Sequence, residues 1–384
     1  MSADKDIIVV GAGPAGLAAA LECHLRGHDV AVVAPPRGPR DERTAALLGG
    51  SVTLLRRIGA WDLLAEKAPM RALRIVDATR RLFRAPEVTF HASEIGLPEF
   101  GYNIRNADLV DALEACVAER GLPRHTASVD GMTIEPDAVS LRLATGGRLG
   151  ARLVVAADGR RSAVRQAAGI GVREWRYDQS ALVANLSHTA AHNDISTEFH
   201  TEAGPLTFVP LTGSRSSMVW VDRPDAVARR REMDEAALAG GIEERSSSLL
   251  GAISIDGPRQ VFPLSGMTAE RFAAARTVLV GEAAHVFPPI GAQGLNLGYR
   301  DVAALGAILP RPGQDPGATD RLDAYERSRR ADVLSRTAAV DALNRTLLTG
   351  FLPVQAARGL GLFLLDRVQP LRQAMMRQGV VATR

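Results

Sequence analysis

The run Asp6-Ile-Ile-Val-Val10, followed at once by Gly11-Ala-Gly13-Pro-Ala-Gly16, constrains this chain more than any other segment. A short continuous apolar run is the mark of a strand buried on both faces of a parallel sheet. The Ala-rich stretch Pro14–Arg26 then reads as a helix, and Val30–Val33 as a second buried strand. Strand, glycine turn, helix and strand make a βαβ unit. Gly11 permits the tight turn, Gly13 lets backbone approach a diphosphate, and Gly16 lets helix and strand pack closely. Pro14 and Ala15 open the helix, whose free N–H groups and dipole favour an anion. One part of the dinucleotide-binding pattern is missing. The acid expected at the end of the second strand is replaced by Ala34, with Pro35 and Pro36 after it. Asp41 or Glu42 could substitute, though the spacing does not demand it, and the departure argues against an ordinary NAD dehydrogenase.

The rest of the chain organises around that unit. A helical region is expected from about Thr44 to Glu66, divided at Gly59, with short strands between Arg71 and Phe90 and a helix over Ala107–Arg120. Gly146-Gly147 marks a turn between strands Val139–Leu143 and Leu149–Val155. From Trp175 to Pro263 the pattern alternates, as in Leu182–Leu186, Leu206–Leu211 and Met218–Val221, with a charged helical stretch at Ala226–Leu250. Thr277–Val280 restores buried parallel-strand character, and Gly294–Gly379 reads as helical except for the Pro310–Pro316 loop. The fold class expected is α/β: a Rossmann-like domain, an inserted mostly antiparallel β-sheet domain and a C-terminal helical region.

Two further signals follow strands. Ala157-Asp158-Gly159-Arg160-Arg161-Ser162 comes after Leu153–Ala156, and reads either as a polar cofactor contact or as a helix-capping turn. The longer block Gly281-Glu282-Ala-Ala-His285-Val-Phe-Pro288-Pro289-Ile-Gly291-Ala-Gln293-Gly294-Leu295-Asn296-Leu-Gly298 ends near Asp301. Glu282 there can accept hydrogen bonds from a polyol, and Gly291 and Gly294 permit close approach to a flat ligand. The helix beginning near Gly294 aims its N–H groups at that ligand, where its dipole would stabilise negative charge.

Composition excludes several classes. The chain has 384 residues, 46% hydrophobic, and a formal net charge of +3. Lys5 and Lys67 are its only lysines, and its arginines form no dense basic run with interleaved aromatics, so no nucleic-acid partner is expected. Cys23 and Cys116 form no CxxC pair, and no metal site is expected. No window reaches the ~18 apolar residues of a spanning helix. A cytoplasmic protein is expected, at most peripheral to the inner face of the membrane.

The three glycine-bearing motifs, in this order and spacing, resemble the single-component flavin monooxygenases of the para-hydroxybenzoate hydroxylase type, over most of the chain. Asp41-Glu-Arg43-Thr-Ala-Ala-Leu47, Gly204-Pro-Leu-Thr-Phe-Val-Pro210-Leu and Gly291–Asp301 are similar to the ubiquinone-biosynthesis ring hydroxylases. The resemblance implies an FAD cofactor, with NADH or NADPH and O2 as co-substrates. Reduced flavin would add O2 at C4a, and the hydroperoxide would hand one oxygen atom to an electron-rich ring, with a polyprenyl phenol as substrate. It implies an FAD-binding domain from residues 1–70, 100–175 and 270–330, a substrate domain from 71–99 and 176–269, and C-terminal helices over 331–384.

Residue by residue, the resemblance places Gly11, Gly13, Pro14, Ala15 and Gly16 at the ADP diphosphate, and Arg43 and Arg105 at polar cofactor contacts. Asp158 and Gly159 fall near the diphosphate, Glu282 at the ribityl chain in place of the usual aspartate, and Pro288 against the isoalloxazine. The backbone of Leu295 and Asn296 falls at the flavin O2 edge. His285 has two readings, a base or a packing residue behind the flavin loop. Phe208, Pro210 and Trp220 are the candidate substrate contacts, with plain core as the alternative. Residues 345–384, rich in Leu, Phe and Arg, pack on the FAD domain or touch a membrane or a partner of the biosynthetic complex. A reductase, a halogenase or a non-catalytic FAD protein of this fold would share these motifs, but a halogenase's Trp-x-Trp-x-Ile-Pro is absent: Trp61, Trp175 and Trp220 are isolated.

Overall fold

The computed structural model describes residues 3–79, 86–288, 293–348 and 367–380. The chain opens with β1 (Lys5–Val10), α1 (Pro14–Leu25) and β2 (Val30–Ala34). β1 and β2 pair in parallel, and Ile7, Ile8 and Val9 are wholly buried, as an apolar run in a covered sheet must be. Leu17 to Leu21 of α1 are also wholly buried, so this helix is packed on more than one side.

The next region departs from expectation. Thr44–Leu48 is a strand, β3, and helix α2 occupies only Gly49–Arg57. Gly59, at φ +80, turns the chain after α2, and no second helix follows. β3 pairs antiparallel with β7 (Gly101–Arg105), which also takes β4 (Ala68–Met70). Local periodicity cannot announce a strand whose partner lies so far along the chain. Gly101 lets the two strands meet, because a Cβ there would stand 2.0 Å from the Leu47 carbonyl oxygen.

After β7 come α3 (Asn106–Glu119), β8 (Arg124–Thr126), β9 (Val129–Ile134), β10 (Val139–Leu143) and β11 (Arg148–Ala156). The β10–β11 turn closes on Gly146 at φ +94, with Leu143 N–H donating to the Gly147 carbonyl at 2.9 Å. β11 lies parallel to β1 on one side and to β18 (Thr277–Leu279) on the other. The order β17 (Ala273–Ala274), β18, β11, β1, β2, β8 sets the carboxyl ends of β1, β2, β11 and β18 along one rim. In open α/β sheets that rim is where ligands bind.

The chain leaves this sheet through α4 (Ala163–Ala167) and β12 (Val172–His188), and returns along β16 (Ile253–Ala269). These two long strands pair antiparallel from Val172↔Ala269 to His188↔Ile253, so one ladder carries the excursion out and back. Between them lie β13 (Ile195–His200), β14 (Pro205–Leu211), β15 (Arg215–Asp222), α5 (Pro224–Glu232) and α6 (Glu235–Arg245). The expected single helical stretch at 226–250 is thus two helices, the second capped by Asp234 accepting from Ala237 N–H at 2.8 Å. β5 (Ala72–Asp77), β6 (Val88–His91) and β19 (His285–Val286) complete this second sheet, in which only the β5–β13 pairing is parallel among the described residues.

Helices α7 (Gln293–Ile308), α8 (Thr319–Leu348) and α9 (Gln369–Val380) follow. α7 packs on α1, and α9 is fastened to the short 3-10 turn Ala92–Ile95 by Arg372, whose Nε donates to a Glu94 carboxylate oxygen at 2.6 Å. Among the described residues no helix is long and apolar enough to cross a membrane. Residues 349–366, which include most of the expected Leu- and Phe-rich tail, lie outside the described residues. Removing the Arg372 guanidinium with Arg372→Ala should cost about 1–3 kcal/mol, since it deprives a mostly buried carboxylate contact of its charged donor. Chemical denaturation of the two proteins checks this.

Candidate functional site

Two cavities run along the rim. One, of about 490 Å³, lies between the ends of β1, β2 and β11 and is lined by Gly11, Gly13, Ala34, Asp158 and Gly159 among others. The other, of about 690 Å³, extends from Gly13–Gly16 to Glu282, Pro288, Gly294 and Leu295, and is walled by the second sheet. Ala12, Gly13, Arg37, Gly38, Ala157 and Gly159 line both, so the two form one elongated cleft.

Each glycine of the first motif meets a different demand. Gly11 has φ +116, and a Cβ on it would stand 2.1 Å from the Ala157 carbonyl oxygen. A Cβ on Gly16 would stand 2.1 Å from the Gly11 carbonyl oxygen. Those two glycines are required by the fold. Gly13 has an ordinary φ of −78 and nothing within 4 Å of a Cβ, so its missing side chain leaves space in the cleft instead. It is the N-cap of α1, and no side chain caps that helix end. Free N–H groups, a helix dipole and an empty approach are the donor set a diphosphate needs. A Cβ on Gly294, in the first turn of α7, likewise meets nothing within 4 Å, while Gly298 lets α7 sit with its Cβ position 3.3 Å from the Gly281 Cα. The cleft therefore fits an extended dinucleotide with a flat group at the far end. Gly291 lies outside the described residues.

Polar side chains between these ends are organised by pairing. Arg43 donates from Nε and Nη2 to the two oxygens of Asp41, both at 2.7 Å, and lies 4.8 Å from the Phe262 ring centroid. Burial would raise the Asp41 carboxyl, but bonds from Arg43 and Asn106 outweigh it and hold it below the usual carboxylate range. Asp41 lines the flat-group end and not the Ala34 end, and Glu42 lines neither, so neither replaces the missing acid. Glu282 is exposed into the cleft. Asp158 lines it too, and its oxygens accept from the Ser162 hydroxyl at 2.5 Å and Val164 N–H at 3.3 Å, so it also steadies the start of α4.

Other expected roles are corrected or narrowed. Arg105 does not line the cleft: Asp108, one turn into α3, takes its Nε at 2.8 Å, and the neighbouring Asn106 faces the cavity instead. The Asn296 side chain accepts from Leu48 N–H at 2.8 Å and the Ser51 hydroxyl at 2.6 Å, stitching α7 to α2 and β3, while the ligand contact expected of it is one of its backbone. His285 is no base at the cleft. It is 2% exposed, and its Nε2 lies 2.7 Å from Asp301, whose other oxygen accepts from Arg329 at 2.7 Å. Asp301 also accepts from Gly281 N–H at 2.8 Å, so this buried cluster holds the third motif from behind.

The substrate wall is corrected as well. Phe208 and Trp220 point away from the cleft, into a core formed with Phe199, Val227 and Leu238 under α5 and α6. Pro210, two residues on from Phe208, is buried on the same side of its strand and does not line the cleft. Side chains alternate along a strand, so residues one position away form the other face. That face presents Val183, Val219 and Phe262 to the cavity. Both faces are apolar, so alternation marks two faces without saying which one meets the cofactor domain. Substitution separates them. Val219→Trp should raise the KM for a bulky substrate about tenfold while leaving flavin binding intact, by filling the cavity. Trp220→Phe should leave KM unchanged and lower stability by about 1 kcal/mol, through its contact with Arg230 at 4.0 Å.

This geometry coincides with what the chain is similar to. The FAD binding domain family matches residues 4–339. A ubiquinone hydroxylase of Rhodospirillum rubrum is 36% identical over 99% of this chain and 90% of its own length. The chain belongs to the FAD-binding monooxygenases. A 3-demethoxyubiquinol 3-hydroxylase of Escherichia coli is 32% identical, over 96% of this chain and 97% of that one. Among solved structures, a p-nitrophenol 4-monooxygenase of Pseudomonas putida shares the fold at a TM-score of 0.80 and 20% identity, each chain fully covered. This flavoprotein is an aromatic-ring hydroxylase that uses FAD, NAD(P)H and O2.

Proposed function

We propose that this monooxygenase hydroxylates the ring of a phenol carrying an isoprenoid tail, an intermediate of ubiquinone biosynthesis. The observation that carries the reading is the wall of Val183, Val219 and Phe262 opposite the flavin cradle. It is an apolar face of the kind a greasy aromatic substrate needs. The names of the Rhodospirillum and Escherichia relatives support the same substrate class. No histidine or tyrosine is among the described residues lining this cavity, which favours a ring already rich in electrons over one activated by such a base.

In this reading residues 1–70, 100–175 and 270–330 hold the cofactor, residues 71–99 and 176–269 the substrate, and 331–384 are a C-terminal region whose described residues lie mainly in the end of α8 and in α9. Gly13 and the start of α1 bind the diphosphate, and Glu282 accepts from the ribityl hydroxyls. Pro288 lies against the ring system, and the N-terminus of α7 at Gly294–Asn296 stabilises negative charge on its pyrimidine edge. Bound flavin supplies the reduction of O2 and the transfer of one oxygen atom. Arg43, locked to Asp41, keeps a fixed positive charge at the cleft, and the valine wall excludes water from the reacting ring. Residues 345–384 provide a peripheral contact with the membrane or a biosynthetic partner; flotation of the full chain with anionic vesicles should carry it upward, and failure to float would remove the membrane arm.

The substrate class is tested by comparing a prenylated phenol with the same ring lacking its tail. The prenylated compound should show the higher kcat/KM and the tighter coupling of NAD(P)H oxidation to product. Equal kcat/KM for both would contradict the reading.

A further inference from the structure

At the Ala34 end of the cleft the acid that reads the adenosine ribose in dinucleotide folds is absent from its usual strand. The carboxylates that line this end among the described residues are Asp158 and Glu114. Asp158 sits at the opposite wall, after β11, with both oxygens engaged by α4. Glu114 is on α3, and two contacts bring it beside the end of β2. Its Oε1 accepts from Arg124 Nη1 at 2.8 Å, and Arg124 stands in β8, which pairs with β2 through Val32↔Arg124 and Ala34↔Thr126. Its Oε2 is 3.8 Å from Arg37 Nη1, beyond hydrogen-bond distance, while Arg37 itself is held by Asp111 one turn earlier on α3. One oxygen is anchored by Arg124, the other accepts no hydrogen bond from Arg37, and the residue lines the cavity.

We propose that Glu114 is the ribose-binding acid of this protein, supplied from α3 in place of the residue missing at Ala34. The inference rests on FAD being the ligand of the cleft. A carboxylate accepting from a ribose diol makes charge-assisted hydrogen bonds. Its position is set by the Arg124 pair and not by the strand end, which frees the end of β2 to carry Ala34-Pro35-Pro36.

The test uses the full chain freed of flavin and titrated with FAD and with FMN, which has no adenosine. Glu114→Gln and Glu114→Ala should each weaken FAD binding about 10- to 100-fold and leave FMN binding unchanged. Adding Ala34→Glu to Glu114→Ala should recover most of the lost FAD affinity, because it restores an acid at the usual strand end. FAD binding equal to wild type in both single variants would overturn the proposal. So would an equal loss for FMN and FAD without rescue, which marks Glu114 as a structural partner of Arg124 alone. A wild-type protein that bound neither flavin would instead sink the FAD assignment beneath it.

Discussion

Gly13→Asp should leave this protein folded, and even slightly more stable without flavin, yet weaken FAD binding by about 100-fold or more. Position 13 is the N-cap of α1 in extended conformation, with open space where a side chain would go. Aspartate is among the best N-cap residues, worth about a few tenths of a kcal/mol over glycine. The carboxylate would take the same N–H groups that a diphosphate needs, and repel it as well. Losing one or two hydrogen bonds to a charged group, at about 1.5–3 kcal/mol each, gives the expected loss of affinity. Gly16→Ala makes the opposite prediction for stability. Its Cβ would lie 2.1 Å from a backbone oxygen, so the flavin-free protein itself should lose about 1–3 kcal/mol. Melting curves of the flavin-free proteins, beside FAD titrations, separate the two. A Gly13→Asp protein that bound FAD normally would place the diphosphate elsewhere.

Asp301→Asn should be the most destabilising single change of a charged side chain here, at about 3–5 kcal/mol near neutral pH. Asp301 is wholly buried, and the substitution leaves Arg329 charged and His285 without its carboxylate partner. Burial alone would raise the Asp301 carboxyl, but the charges of His285 and Arg329 and the Gly281 N–H outweigh it and depress it below the usual value. A depressed carboxylate contributes stability that is fully present above the unfolded value of about 3.9, and loses it as pH falls through the lower folded value. The gap between wild type and Asp301→Asn should therefore hold from neutral pH to about 5 and close only below about 4. Urea denaturation at several pH values measures it. A gap that closed between pH 6 and 7 would assign the effect to a histidine instead.

Much of the architecture was legible because its signals are local. The β1–α1–β2 unit, the Gly146-Gly147 turn and the parallel strand at Thr277 each follow from a few adjacent residues. The strand at Thr44–Leu48 was not legible, since its partner Tyr102-bearing strand is remote and its residues suit either structure. At the site, glycines placed the cofactor end because backbone geometry restricts them. Side chains were harder. Phe208 and Trp220 fall in the core, the alternative open for them in the sequence, because alternation marks two apolar faces without saying which one meets the cleft. Glu114 carries no motif at all: the pairing of β8 with β2 brings its partner Arg124 beside the Ala34 end of the cleft. Ala107, Asp111 and Glu114 lie along one face of α3, and Arg37 approaches all three.

Hydroxylation of an aromatic ring with oxygen from O2 leaves a direct isotopic signature. The most direct measurement is mass spectrometry of the product formed from a prenylated phenol by the FAD-loaded protein, NAD(P)H and isotopically labelled O2. The product should be heavier by one labelled oxygen atom, formed in proportion to the NAD(P)H consumed. NAD(P)H oxidation that released only hydrogen peroxide, or a product reduced at a double bond with no label, would contradict it.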